Sequence, residues 1–308
     1  MNNLKLLFCL VVLFTSCSDD DSGDDLSQSM ENPPEVTGTN YSKSANSLNN
    51  TYNSFLSALN SNDAISVVAE LDHAENASAV GLNLNPTQIV FFGNPTLGTP
   101  LMQQNQLAGL DLPQKVLFYQ TEDNDVYALY NNVAYLSSRH GLDGVSTLDQ
   151  IAMALQNLTS NATGNEVESV SNLEVEMGEG IITKESAQDF STTYSALRNA
   201  ISSNANLTIV AELDHQANAA SVDMELRPTK IIIFGNPNLG TPLMQSEQTA
   251  GLDLPQKMLV WEDAAGMVNI SYNDARFIAE RHNLEGVEME VETINMALDN
   301  LSNAAAGN

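Results

Sequence analysis

Apolar residues recur at helical spacing in Tyr52, Phe55, Leu56 and Leu59, and again in Tyr194, Leu197 and Ile201. One stripe every three to four positions predicts an amphipathic helix in each place. From Ile65 onward the pattern becomes alternation: Ile65, Val67, Ala69 and Leu71 are set against Ser66, Val68, Glu70 and Asp72. That alternation predicts a strand with one apolar face. Residues 74–80 read as a short helix. Gln88-Ile89-Val90-Phe91-Phe92 reads as a buried strand stopped by Gly93-Asn94-Pro95. Thr99-Pro100 has the residue types of a helix start, since a Thr hydroxyl can accept from an orphan amide and Pro tolerates the first helical position. Lys115–Tyr119 and Val126–Tyr130 predict a hairpin, followed by helices at about 133–139 and 148–158.

The same order of elements is written twice. Glu70-Leu71-Asp72-His73 returns as Glu212-Leu213-Asp214-His215, and Phe92-Gly93-Asn94-Pro95 as Phe234-Gly235-Asn236-Pro237. Ala108–Lys115 returns as Ala250–Lys257, and Arg139-His140 as Arg281-His282, each 142 residues on. A period of that length is a whole domain, not a solenoid unit. Short polar strands at 41–44 and 181–185 open the copies. The expected organisation is a first repeat domain over 38–160, a linker rich in Asn, Glu, Ser and Gly over 161–179, and a second repeat domain over 180–308. Strands interleaved with helices and closed by a hairpin predict an α+β fold: two homologous compact domains, each a small mixed sheet packed with helices. Tandem copies also lead us to expect an intramolecular pseudo-dimer with an approximate two-fold axis.

Charge narrows the partners. The chain of 308 residues carries 39 acidic and 11 basic residues, a balance that repels phosphate backbones and argues against nucleic-acid binding. Lys5, the apolar run Leu6–Phe14 and Thr15-Ser16-Cys17 have the layout of a secretory signal over 1–16. The run is too short to span a bilayer. A cysteine at that place resembles the lipobox of bacterial lipoproteins, which implies lipidation of Cys17 and a membrane attachment through that lipid alone. Cys9, the other cysteine, would leave with the signal, so no disulfide is expected. Residues 17–37 form an acidic tether whose start, Ser18–Asp25, resembles the export signal of surface lipoproteins. The expected location is therefore the outer membrane, either surface-exposed or on its periplasmic face.

The repeated strings resemble the family called "domain of unknown function 302". Glu-Leu-Asp-His, Phe-Gly-Asn-Pro, Gly-Thr-Pro-Leu-Met, Leu-Asp-Leu-Pro-x-Lys and the closing Tyr-Asn…Arg-His carry the likeness from about 38 to 160 and from about 180 to 304. The resemblance implies a compact α+β domain and brings no established activity. The second copy matches better, because Val260-Trp261-Glu262-Asp263 keeps a hairpin motif that reads Phe118-Tyr119-Gln120-Thr121 in the first.

The candidate chemistry lies in the repeated polar residues. His73 and His215 stand at strand ends, where a ring either bonds backbone carbonyls or serves a site. Each follows an Asp whose side chain points to the opposite face, which argues against a metal pair. Glu70 with Asp72, and Glu212 with Asp214, share a strand face and would either divide acid and base roles or anchor cations. Lys115/Lys257 and Arg139/Arg281 are the only basic positions filled identically in both copies. In so acidic a chain a retained cation calls for a fixed carboxylate or an anionic ligand. The Phe-Gly-Asn-Pro turn with Gly98-Thr99-Pro100 reads either as a plain turn and cap or as an anion cradle, without the Gly-Lys-Ser/Thr ending of a P-loop. Met102 and Met244 read as core. No nucleophile motif, dinucleotide fingerprint, cofactor set or metal-ligand set is present.

Three functions fit. The first is a small-ligand site in the second copy built from Glu212, Asp214, His215, Lys257, Glu262, Asp263 and Arg281, with Lys257 and Arg281 on anionic groups. The second is an enzyme of unknown reaction on the same residues. The third is a purely structural surface module.

Overall fold

The computed structural model describes residues 33–172 and 174–307. The segment expected to be a signal, Cys17 and most of the expected tether lie outside them. Both repeats belong to one unit, Pro34–Asn308.

The first repeat supplies β1 (Thr39–Lys43), α1 (Leu48–Asn60), β2 (Ser66–Asp72), α2 (His73–Ala79), β3 (Thr87–Gly93), α3 (Pro95–Gln104), a 3-10 turn (Gln106–Leu110), β4 (Gln114–Gln120), β5 (Val126–Asn131), α4 (Val133–His140) and α5 (Leu148–Thr163). Residues read as a linker add a short strand, β6 (Glu168–Ser169), beside β1. The second repeat supplies β7 (Ile181–Ser186), α6 (Phe190–Ser202), β8 (Thr208–Asp214), α7 (His215–Ala220), β9 (Thr229–Gly235), α8 (Pro237–Ser246), a 3-10 turn (Gln248–Leu252), β10 (Gln256–Glu262), β11 (Val268–Asn273), α9 (Ala275–Arg281) and α10 (Glu288–Ala306). The sheet orders are β2-β3-β4-β5-β1-β6 and β7-β11-β10-β9-β8. The fold is α+β, as the pattern predicts. After His282 the spacing grows by one residue, so that Ile151, Ala154 and Leu155 correspond to Ile294, Ala297 and Leu298.

Three details depart from the sequence reading. Every strand pairing is antiparallel, so neither sheet is mixed. The reason is visible in the connection from β3 to β4: α3 and its 3-10 turn run out and back, and Gln114 pairs with Phe92 at the end the chain had just left. The α3 helix begins at Pro95, not at Thr99. Asn94 is the cap, its side chain accepting from the Thr96 amide, and Pro95 takes the first turn while Pro100 sits inside the helix. Asn236, Pro237 and Pro242 repeat the arrangement. Finally, β2 and β8 are bulged, with register shifts at Val67/Ala69 and Ile209/Ala211. The bulge splits the predicted apolar face. Ile65 and Val67 pack toward the helices, whereas Val68, Ala69 and Leu71 turn the other way.

That other way is toward the second repeat. Val90 and Phe92 pack with Phe55 and Leu59 of α1, while Ile89 and Phe91 pack with Leu117, Leu129, Ile233 and Leu252. Each sheet thus has helices on one face and the opposite repeat on the other, which is why β3 and β9 read as continuous apolar runs. The 3-10 turns are the clasps. Gln106 donates to Thr229 Oγ1 (2.8 Å) and the Glu262 carbonyl (3.1 Å); Gln248 donates to Thr87 Oγ1 (2.9 Å) and the Gln120 carbonyl (3.2 Å). Gly38 and Gly180 carry the chain into β1 and β7 at φ +76° and +66°, where an added Cβ would lie within 3 Å of Tyr135 and Phe277 respectively. Only glycine meets both demands.

Candidate functional site

Two arrangements at the repeat interface gather chemistry: a buried charge network and a pair of cavities.

The network is built on Asp111 and Asp253, which close the two 3-10 turns. Asp253 Oδ1 accepts from Lys115 Nζ of the other repeat at 3.0 Å. Its Oδ2 accepts from Arg281 Nη1 at 2.6 Å and from His282 Nε2 at 3.0 Å. Asp111 Oδ2 accepts from Arg139 Nη1 at 2.8 Å and His140 Nε2 at 2.7 Å. The remaining guanidinium hydrogens cross between repeats or into the linker. Arg139 reaches Asn273 Oδ1 (3.0 Å) and the Glu179 carbonyl (2.8 Å); Arg281 reaches Asn131 Oδ1 (2.7 Å) and the Thr37 carbonyl (2.9 Å). Arg281 also stacks over Tyr135 at 4.1 Å and Arg139 over Phe277 at 4.6 Å.

Burial alone would raise Asp253, but Arg281, Lys115 and His282 outweigh it and hold its carboxyl well below the usual range. Asp111 is lowered in the same way, burial being overcome by Arg139 and His140. Burial and then the charge of Lys115 push Lys257 well below the ordinary lysine range. The network is uneven. His282 Nδ1 has Thr249 Oγ1 at 3.1 Å, whereas His140 Nδ1 and Asp111 Oδ1 have no partner. Leu107 occupies the place of Thr249 in the first repeat.

The acidic candidates lie elsewhere. Glu70 accepts from Tyr52 Oη (2.9 Å), and Glu212 from Tyr194 Oη (2.6 Å) and Arg198. Asp72 and Asp214 cap α2 and α7. Asp263 holds the hairpin turn, accepting from the amides of Ala265 and Met267, and Glu262 lies at the end of β10. Of the proposed set, the network joins Lys115, Lys257, Arg139 and Arg281. It does not include the Glu-x-Asp pairs or the hairpin carboxylates.

His73 and His215 go to the cavities. One cavity, of about 140 Å³, is walled by Phe234, Met244, Leu254, Ile294 and Leu298 of the second repeat and entered by His73 of the first. Its twin, about 180 Å³, is walled by Phe92, Met102, Leu112, Ile151 and Leu155 and entered by His215. The bulge in β2 and β8 makes the exchange, since it turns Leu71 and Leu213 toward the opposite repeat just before each histidine. His73 is 4% exposed and His215 3%. The backbone of the opposite 3-10 turn, at Gly251 and Gly109, lies against each ring and favours its protonated form. Burial lowers both rings to about 4, against the opposing pull of that backbone and of the preceding aspartates. His73 Nε2, Thr241 Oγ1 and Gln256 Nε2 are buried without a hydrogen-bond partner, and all three residues line the first cavity. His215 Nε2, Thr99 Oγ1 and Gln114 Nε2 stand in the same condition at the second. Buried polar atoms without partners are uncommon in folded proteins. Here they occur as the same trio twice. Gln114/Gln256 escape a search for chemistry in the sequence because the residue type declares no role, while Thr99 reads there as a helix start or part of an anion cradle; both pairs are identical across the repeat.

The sequence profile of the family described as "Domain of unknown function DUF302" matches residues 41–162 and 182–304. The chain belongs to the DUF302 family. Curated relatives include two proteins named "Fluoride-specific ion channel FluC 1", from Brucella suis biovar 1 (strain 1330) and Brucella abortus biovar 1 (strain 9-941). Each is 40% identical over 105 residues, 34% of this chain. The match spans 41% and 38% of those proteins, so the chain corresponds to about two-fifths of each relative's length. Among the described residues no helix is long and apolar enough to cross a membrane. A solved structure, the uncharacterized conserved protein DUF302 from Bacillus stearothermophilus, covers 41% of this chain and 98% of its own at 13% identity, with a TM-score of 0.38. The cavity linings show that each DUF302 repeat supplies most of the walls of one cavity and the histidine of the other.

Proposed function

We propose that this is an exported, lipid-anchored protein in which two DUF302 repeats form one intramolecular pseudo-dimer that binds a small, mainly apolar molecule in each interface cavity. The observation that carries the reading is a pair of apolar cavities built the same way twice where the repeats meet. A cavity near 150 Å³ with aliphatic and aromatic walls accepts a molecule about the size of benzene, and both cavities have that scale. The charge network supports the same reading from the structural side. Its guanidinium forks are filled by protein oxygens, so they serve to clasp the repeats and leave ligand recognition to the cavities.

Titration of the mature chain with phenol, followed by calorimetry, is expected to show two sites with Kd of about 1 mM or tighter, about −4 kcal/mol. Leu298→Trp should remove one site and Leu155→Trp the other. Saturable fluoride binding without any phenol binding would overturn the reading. The anchor is separately testable: Cys17→Ser should move the protein from the membrane fraction to the soluble exported fraction. Retention in the membrane would remove lipidation from the proposal.

A further inference from the structure

The two sheets end differently. In the first, β6 lies along the outer edge of β1, with Tyr41 opposite Glu168 and Asn40 opposite Ser169. The linker carries this pairing past the short strand. The Val170 amide donates to the Thr39 carbonyl, the Asn165 side chain donates to the Lys43 carbonyl, and the Asn172 carbonyl accepts from the Gly38 amide. In the second sheet β7 is the terminal strand, and among the described residues no strand pairs with its outer edge. The Gly180 carbonyl accepts from the Asp274 amide on the β11 side. By alternation, Ile181, Thr183 and Glu185 turn backbone groups away from the sheet. Thr183 and Glu185 are exposed. Such an edge is a template for another strand.

The first repeat shows what kind of strand fits. Continuing the β1–β6 register sets Lys43 opposite Glu166 and Thr39 opposite Val170, and Val170 packs with the cluster of Tyr41, Tyr119 and Tyr127. At the matching places of the second repeat, Lys43 becomes Glu185, Thr39 becomes Ile181 and Tyr119 becomes Trp261. The charge on the edge is therefore reversed. The apolar footing is kept, because Ile181 and Trp261 pack on one cluster and are only partly buried. Opposite charges across a strand pair stabilise it and like charges oppose it. Glu174, Glu176 and Glu179, just before β7, line one surface pocket with Glu280, so the approach to the edge is acidic as well. A second copy of this chain is a poor occupant, since each copy carries 28 net negative charges.

We propose that the outer edge of β7 takes an extended basic segment of another protein as an added antiparallel strand, with a cation opposite Glu185 and an aliphatic side chain against Ile181 and Trp261. Main-chain hydrogen bonds supply the affinity in this mode, and alternate side chains supply the choice of partner. The proposal goes beyond the cavities and does not depend on them.

The probes are two synthetic peptides that copy the linker strand over Asn165–Asn172, one with the native sequence and one with Glu166→Lys and Glu168→Lys. Each is titrated into the mature chain and followed by the fluorescence of Trp261, the one tryptophan of the sequence. The lysine peptide is expected to saturate with a Kd of about 1 mM or tighter, about tenfold tighter than the native peptide, and to weaken as salt is added. Methylating its backbone nitrogen at the place of Val170 should abolish binding, because that amide meets the Ile181 carbonyl. Glu185→Lys, a change at an exposed position, should reverse the preference so that the native peptide binds more tightly. The proposal is overturned if the lysine peptide does not saturate, if the methylated peptide binds as well as its parent, or if Glu185→Lys leaves the preference unchanged. If the chain sediments as a dimer and the lysine peptide does not bind, the edge belongs to a second copy and the proposal falls as well.

Discussion

Asn in place of Asp253 is expected to destabilise the folded chain by about 3–5 kcal/mol, the usual cost of removing one partner from a buried ion pair. Asp253 is the charge that Lys115, Arg281 and His282 all address, at 3.0, 2.6 and 3.0 Å. Its loss leaves an ammonium and a guanidinium facing each other in a dry interface, with Arg139 and Lys257 close behind. Lys257→Met is the informative contrast. Burial and the charge of Lys115 already press Lys257 toward its neutral form, so removing that amine deletes no paired charge. It should cost markedly less than Asp253→Asn. Urea unfolding at neutral pH, with midpoints and slopes compared across the two variants, measures both. Equal losses would mean that Lys257 is charged in the fold.

The same contrast bears on why the network exists. A buried ion cluster is seldom a gain over well-packed apolar residues, and its best-attested use is to fix one partner and one register. Here the charges cross the boundary between repeats: Lys115 with Asp253, Arg139 with Asn273, Arg281 with Asn131. A slipped docking would leave them buried and unmatched, so the network selects one docking of the two sheets. That docking is what brings His73 into the second repeat's cavity and His215 into the first's.

Much of this fold was legible in the sequence, and the reasons differ by element. The α1 and α6 helices, the buried β3 and β9 strands and the β4–β5 and β10–β11 hairpins follow from local periodicity, which needs no knowledge of the partner surface. The bulge at Val67/Ala69 had one faint signal, the apolar Val68 where the alternation calls for a polar residue, and only pairing with β3 reveals the shift. The start of α3 was misplaced for a related reason: Asn94-Pro95 and Thr99-Pro100 offer two good starts, and the turn after β3 selects the earlier. At the site, retained cations in an acidic chain led correctly to fixed carboxylates for Lys115, Arg139 and Arg281. The identity of those carboxylates was missed. Asp111 and Asp253 stand inside the repeated Leu-Asp-Leu-Pro string, four residues before each lysine, but Lys115 pairs with the aspartate of the other copy. Spacing along one chain cannot distinguish a contact made within a repeat from one exchanged between repeats.

Acidification from pH 6.5 to 4 is expected to cost the folded chain several kcal/mol, through His73 and His215. Both rings titrate near 6.5 in an unfolded chain and near 4 in the fold. Between those values the unfolded state binds protons that the folded state refuses, so stability rises with pH across the interval and falls as acid is added. At about 1.4 kcal/mol per unit, each ring accounts for roughly 3 kcal/mol. His282, lowered chiefly by burial, acts in the same direction. Asp111 and Asp253 do not contribute to this window. Their carboxyls are held well below the ordinary range, so the stability they supply is present above the unfolded carboxylate value near 3.9 and is lost only at lower pH. The excess of acidic residues works in the opposite sense, because protonating them relieves repulsion in the folded state. The comparison that isolates the histidines is therefore between the unaltered chain and the double variant His73→Gln, His215→Gln. The variant should start less stable at pH 7 and lose less on going to pH 4.5, so that the two urea midpoints converge. Parallel midpoint curves would show that the two rings titrate alike in the folded and unfolded states, and that the interface cavities are open enough to hydrate them.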